Sequence, residues 1–173
     1  MPLRAKTLSS QLKRRILVNV RTVVKKGVLH FLHESGEYDV AFYMHFHIVP
    51  KRQVRSFAFG KPEGIRVFLI ESGKVASAID LVYKKRSLRF SAAYEGNSLQ
   101  RLLDALNDLE RKYNKVKENV EPVLIYFLLA PHPVLLAKGK TITDYFQFPA
   151  GKIRRISKER LQSQIQRIIK RHK

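Results

Sequence analysis

The stretch Asp39-Val40-Ala41-Phe42-Tyr43-Met44-His45-Phe46-His47-Ile48-Val49-Pro50 decides the fold class. Before it, apolar residues recur at intervals of three and four; from it to about residue 94 they recur at intervals of two. A period of two belongs to a strand that buries one face. Alternation puts Asp39, Tyr43, His45 and His47 on one face and Phe42, Met44, Phe46 and Ile48 on the other, which faces the core. Pro50 lacks the N–H a ladder needs and closes the strand.

Downstream, the same period predicts strands at 53–59, 65–71, 75–83 and 87–94. Between them stand the turn formers Gly60-Lys61-Pro62-Glu63-Gly64 and Ser72-Gly73 and the charged Lys84-Lys85-Arg86. Connections this short predict an antiparallel meander. Upstream, Leu12, Ile16, Val20, Val23, Val24, Val28 and Phe31 form one helical stripe, with Ser9 or Ser10 as cap and Gly36 as stop. A second helix is expected over 97–118, capped by Asn97 or Ser98, with Leu99, Leu102, Leu103, Leu106, Leu109, Tyr113 and Val116 inward.

The run from Val123 to Ala137 is the most apolar in the chain, but Pro131, His132 and Pro133 interrupt it and it is short for a membrane span. It predicts a strand at 122–130, buried on both faces, with an extended piece at 140–148 pairing with it. Ser157 caps a last helix that turns Leu161, Ile165, Ile168 and Ile169 inward and carries Lys170, Arg171 and Lys173 at its C-terminal, dipole-favoured end. The expected fold is a single α+β domain over residues 1–173: one antiparallel sheet of about five to seven strands packed with N-terminal, central and C-terminal helices.

Charge points to the partner. Thirty-four Lys and Arg against fourteen Asp and Glu give a net charge of +20. Residues 1–33 carry Arg4, Lys6, Lys13, Arg14, Arg15, Arg21, Lys25 and Lys26 and no acid, and from residue 147 onward Glu159 is the single acid. Basic segments at both ends of a folded middle suit a polyanion whose condensed counterions they release, so nucleic acid is the expected partner. Duplex DNA comes before RNA, because nothing marks single-strand stacking or 2′-hydroxyl readout. The competing reading is a basic protein that meets acidic proteins or an anionic membrane surface. Expected phosphate contacts are Lys13, Arg14, Arg15, Arg21, Lys25 and Lys26 on the first helix and Lys51, Arg52, Arg55, Lys84, Lys85 and Arg86 in the turns. Lys152, Arg154 and Arg155 before the last helix complete the set. The absence of Cys rules out disulfides and thiolate metal sites. The N-terminus shows no secretory pattern. Both fit an intracellular protein, cytoplasmic or nucleoid-associated.

Two imidazoles at i and i+2 on a strand stand about 6–7 Å apart, close enough to converge on one divalent cation. His45 and His47 are so placed, with Asp39 as a third ligand; the competing reading is a solvated pair on an edge strand. The string resembles the His-hydrophobe-His motif of the HUH endonucleases, which include rolling-circle replication initiators and relaxases. In that family the cation polarises a scissile phosphate and a helical Tyr, often in Tyr-x-x-x-Lys, attacks it. Tyr113-Asn114-Lys115-Val116-Lys117 has that pattern, later in the chain as in the initiators. The resemblance implies a metal-dependent DNA strand-cleaving enzyme using Mg2+ or Mn2+, with His45, His47 and Asp39 on the metal, Tyr113 as nucleophile and Lys117 on phosphate charge. The alternative class is a non-catalytic DNA- or RNA-binding or architectural protein of a nucleoprotein assembly.

Three further patterns are present. The string also looks like the end of a histidine-triad hydrolase motif, with Tyr43 in place of the first His. The order helix, strands, helix, strand is similar to the PD-(D/E)xK nucleases, for which Glu71 and Asp80 are the strand carboxylates; neither has Lys two residues on. Gly139-Lys140-Thr141-Ile142-Thr143-Asp144-Tyr145-Phe146 resembles a sliding-clamp-binding peptide, which implies a clamp-like partner met through Ile142, Tyr145 and Phe146.

Overall fold

The structure, a computed structural model, describes residues 8–25, 38–54, 59–85, 87–128, 130 and 132–171. The order of elements is α1 (Ser10–Lys25), β1 (Tyr38–Val49), a 3-10 turn (Lys51–Gln53), β2 (Gly64–Glu71), β3 (Lys74–Lys84), β4 (Ser87–Tyr94), α2 (Gly96–Tyr113), β5 (Glu121–Phe127), β6 (Val134–Lys138), β7 (Thr143–Gln147), β8 (Arg154–Ile156) and α3 (Lys158–Arg171). The strands form one mostly antiparallel sheet in the order β4-β3-β2-β1-β5-β6-β7-β8. The fold is α+β with N-terminal, central and C-terminal helices. No described helix is long and apolar enough to cross a membrane.

Two compact units divide the chain: one drawn from Ala5–Met44 and Gly64–Gln100, the other from His45–Glu63 and Arg101–Lys173. In the first, β2, β3 and β4 form the expected antiparallel meander. Ser72 and Gly73 both take positive φ, 51° and 78°, the pair of values a two-residue hairpin turn requires. One face of the meander packs against α1, whose Ile16, Val20, Val23 and Val24 are buried among Val40, Ile65, Val67, Leu69, Ile79 and Leu81. Each such side chain stabilises by roughly 1.5–3 kcal/mol on burial, far more than the few tenths that β-branched residues cost in a helix. Tertiary packing therefore makes α1 a helix despite its Val-rich sequence. Its start is fixed by Ser9, whose Oγ accepts the Leu12 N–H at 3.2 Å. On the opposite face of the meander, Phe42 stacks on Phe68 with ring centres 4.2 Å apart.

In the second unit the His45–Val49 half of β1 runs parallel to β5, and β5 through β8 follow antiparallel. One face is covered by α3, whose Leu161 and Ile165 are buried with Val49, Val123, Ile125, Phe127, Val134, Leu136, Tyr145 and Ile156. Its cap is as expected: the Ser157 carbonyl accepts the Leu161 N–H at 3.0 Å and its Oγ the Arg160 N–H at 3.2 Å. The register Phe46↔Leu124↔Leu135↔Phe146 lines the other face, where Tyr113, the last residue of α2, meets Phe146 edge-on at 6.3 Å.

Several expectations are corrected here. The strand expected at 53–59 begins instead with the 3-10 turn, closed by the Gln53 N–H bonding the Pro50 carbonyl; 55–58 lie outside the described residues. The apolar run after 121 holds two strands. β5 stops at Phe127, and β6 returns beside it. The 140–148 segment pairs with β6 and β8, and β6 lies between it and β5. Finally, α2 ends at Tyr113 and not at 118, where the Val116 N–H bonds back to the Tyr113 carbonyl in a tight turn. Val28, Phe31 and Gly36 of the expected first helix lie outside the described residues.

Candidate nucleic-acid interface

Because α1 buries one side, it must expose the other. Arg14, Val18, Arg21 and Lys25 recur at i, i+4, i+7 and i+11 on that exposed side, with Arg15 beside them, and α1 contains no acid. At 1.5 Å per residue the stripe is about 16 Å long, over which one strand of a DNA duplex presents about five phosphates. Lys13 lies off the stripe, bound to Asp39 at 2.7 Å. In the other unit Lys152 and Arg154 are exposed, while Arg155 is ion-paired with Asp144. Lys51, Lys84 and Lys85 are exposed. Lys26, Arg55, Arg86 and the side chain of Arg52 lie outside the described residues.

The candidate set omitted the outer side of α3. Arg160, Arg167, Lys170 and Arg171 are all exposed there, opposite Leu161 and Ile165. Their seven- and ten-residue spacing was the available signal; the inward stripe and the dipole had accounted for the helix without it.

Several of the described carboxylates are engaged within the fold, and Asp80 is buried. Arg66 Nε and Nη2 bond the two Asp80 oxygens at 2.7 and 2.9 Å, Tyr94 donates its hydroxyl to Asp80 at 2.9 Å, and the guanidinium lies 3.7 Å above the Tyr94 ring. Both charged side chains are only 5 % exposed. Asp80 therefore serves a buried bidentate pair. It does not stand open for a cation as a nuclease carboxylate must. Asp144 takes Arg155 and the Tyr113 hydroxyl, and Glu63 takes the Ile48 N–H at 3.0 Å and lies 3.5 Å from His47 Nδ1.

No family model, no curated protein and no solved structure matches the chain. The residues themselves must carry the reading.

The residues of the proposed strand-cleaving site are not brought together. His47 pairs in register with Ile125 and lies 5.4 Å from the Phe59 ring, on the face covered by α3. Tyr113 is on the other face, against Phe146. The sheet separates the imidazole from the phenol. The His face is also no solvated edge: β1 is central, between β2 and β5, and His47 is 8 % exposed. Asp39 stands six residues from His45 along the same strand, about 20 Å at a strand's rise, and is held by Lys13 and the Val40 N–H. The residues do not fit an ion held by His45, His47 and Asp39, and among the described residues no three His, Asp or Glu side chains form a metal-binding group. Lys117 is off the helix and one turn no longer links it to Tyr113.

Electrostatics agrees with that placement. Burial, with the Asp144 carboxylate accepting its proton, drives the Tyr113 phenol far above the usual tyrosine range, the reverse of what an attacking phenolate needs. Tyr113→Phe removes one hydrogen bond to a carboxylate that keeps Arg155. The expected cost is about 1 kcal/mol in urea unfolding, with nucleic-acid affinity unchanged in a parallel titration.

Burial lowers the His47 pKa below the ordinary value, the Glu63 carboxylate opposes that shift, and Lys138 reinforces it. A depressed folded-state value means that the contribution to stability is complete above the unfolded pKa of about 6.5 and is lost as pH falls below it. The urea midpoint of the wild type is expected to drop between pH 7 and 5 by more than that of His47→Gln. Parallel curves for the two proteins would exclude this role.

The clamp-peptide expectation meets the same difficulty. Its Tyr145 and Phe146 are on β7, hydrogen-bonded between β6 and β8, and only 6 % and 1 % exposed on opposite faces. A segment paired on both sides has neither the side chains nor the backbone to offer a partner.

Proposed function

We propose that the protein binds nucleic acid, duplex DNA first, by contacting the phosphate backbone without cleaving it. The observation that carries this is the α1 stripe of Arg14, Arg21 and Lys25: exposed, unopposed by any acid on its helix, and backed by a buried apolar core. The outer side of α3, with Glu159 in its first turn, offers a second basic surface. Cations that contact phosphate give affinity and register more than sequence choice. A binding or architectural role in a nucleoprotein assembly follows. The strand-cleaving alternative needs His45, His47 and Tyr113 on one side of the sheet, and they are on two.

The test uses labelled duplex DNA, single-stranded DNA and duplex RNA, with EDTA or Mn2+. The expected result is a mobility shift, strongest with duplex DNA, that EDTA leaves intact, with no cleaved product on a denaturing gel. Metal-dependent cleavage contradicts the non-catalytic reading. Binding confined to acidic protein or to anionic vesicles contradicts the nucleic-acid reading altogether.

A further inference from the structure

The turn joining β6 to β7 is wrapped around a carboxylate. The Gly139 N–H bonds the Ile142 carbonyl at 2.8 Å and closes the turn. Inside it the Glu118 carboxylate accepts the Lys140 N–H, the Thr141 N–H at 2.9 Å and the Thr141 hydroxyl at 2.5 Å. Thr141 contributes most to holding the Glu118 pKa below the ordinary value, and the Lys140 and Ile142 N–H groups add to it. A Cβ at Gly139 would stand 2.7 Å from Glu118 Oε2, so glycine is what lets the anion sit this close to the backbone.

Such a set of convergent backbone and hydroxyl donors is selective for charge and not for carbon. A phosphodiester offers the same thing as a carboxylate: two terminal oxygens sharing one negative charge. The surroundings favour the phosphate. Lys115 and Lys117 precede Glu118, Lys138 and Lys140 flank Gly139, and all four are exposed. One carboxylate amid four cations is a weak occupant against a polyanion.

We propose that the Gly139–Ile142 turn is a phosphate seat, and that Glu118 fills it in the free protein in place of one phosphate of the bound strand. This rests on the nucleic-acid reading and adds a site to it: Glu118 is an internal competitor that must swing out before the turn engages the backbone.

The experiment follows the Lys140, Thr141 and Ile142 amides by 1H–15N NMR in the full chain. Inorganic phosphate, then a short DNA duplex, is titrated into wild type, Glu118→Ala and Glu118→Gln. Glu110→Gln, on α2, controls for the loss of one negative charge. In Glu118→Ala these amides are expected to move saturably at phosphate concentrations at least tenfold below those the wild type needs. Duplex affinity is expected to rise several-fold, and Glu110→Gln should change neither. Glu118→Gln keeps the size of the side chain, so it is informative if the alanine variant folds poorly. Amides of the turn that stay still with phosphate in both variants overturn the seat. Duplex binding that moves the α1 amides but not the turn overturns the seat and leaves the nucleic-acid reading standing. Phosphate shifts in the turn of a protein that binds no duplex keep the seat and overturn that reading.

Discussion

Asp80→Ala is expected to destabilise the protein by about 3–5 kcal/mol, the cost of stripping one partner from a buried ion pair. Arg66 would keep its charge at 5 % exposure with the carboxylate gone, and Tyr94 would lose its acceptor. A typical domain has about 5–15 kcal/mol in all, so this single change removes a large share. Removing both charges together is different in kind. Arg66→Met with Asp80→Leu leaves no ion to desolvate, and the double variant is expected to be more stable than Asp80→Ala alone. Urea unfolding of the three proteins checks the ordering. A midpoint for Asp80→Ala equal to wild type would show that the pair contributes nothing.

The second large effect is on affinity. Reversing Arg14, Arg21 and Lys25 to Glu removes three phosphate contacts. At a slope of about 0.9 per contact, log K against log salt should flatten by about 2.7, which at 0.1 M salt is a loss of about 10²–10³ in affinity before any added repulsion. All three side chains are exposed, outside the core that holds α1 down, so the fold should survive. The same three reversals on α3, at Arg160, Arg167 and Arg171, compare the two surfaces; the larger loss identifies the main one.

Much of the fold was legible because its period was clean. β1, the β2–β4 meander and the caps Ser9 and Ser157 follow from alternation, turn residues and helix stripes, and the structure keeps them within a residue or two, whereas Asn97 and Ser98 lie inside α2, which begins at Gly96. What failed, failed locally. A long apolar run cannot announce that it contains two strands: β5 ends at Phe127, where the Ala130 N–H bonds back to the Phe127 carbonyl. β8 is three residues long and has no period to read. The end of α2 depended on a backbone turn at Tyr113–Val116, whereas the stripe could be continued on paper to Val116.

The site was less legible, and for a physical reason. Motif spacing reports what residues could do if they met, and whether they meet is decided by which face of the sheet each occupies. His47 and Tyr113 fit their motifs and are on opposite faces. Alternation also assigned the His face to solvent, because it cannot show that a second helix, α3, buries that face too. Charge was legible in part: Arg14, Arg15, Arg21 and Lys25 are exposed on α1, whereas Lys13 and Arg155 are paired with Asp39 and Asp144. The spacing of Arg160, Arg167 and Lys170 could have shown the α3 surface, whereas the Glu118-filled turn became visible only once hydrogen bonds were known.

The most direct measurement of the central claim is duplex affinity as a function of salt, by fluorescence anisotropy from 50 to 300 mM KCl, roughly the range over which phosphate contacts weaken. A linear fall of log K with log salt, with a slope of about −2.7 or steeper and unchanged by EDTA, is predicted, since Arg14, Arg21 and Lys25 alone account for about three contacts. Affinity that is absent at 50 mM salt, or that stays flat across the series, contradicts it.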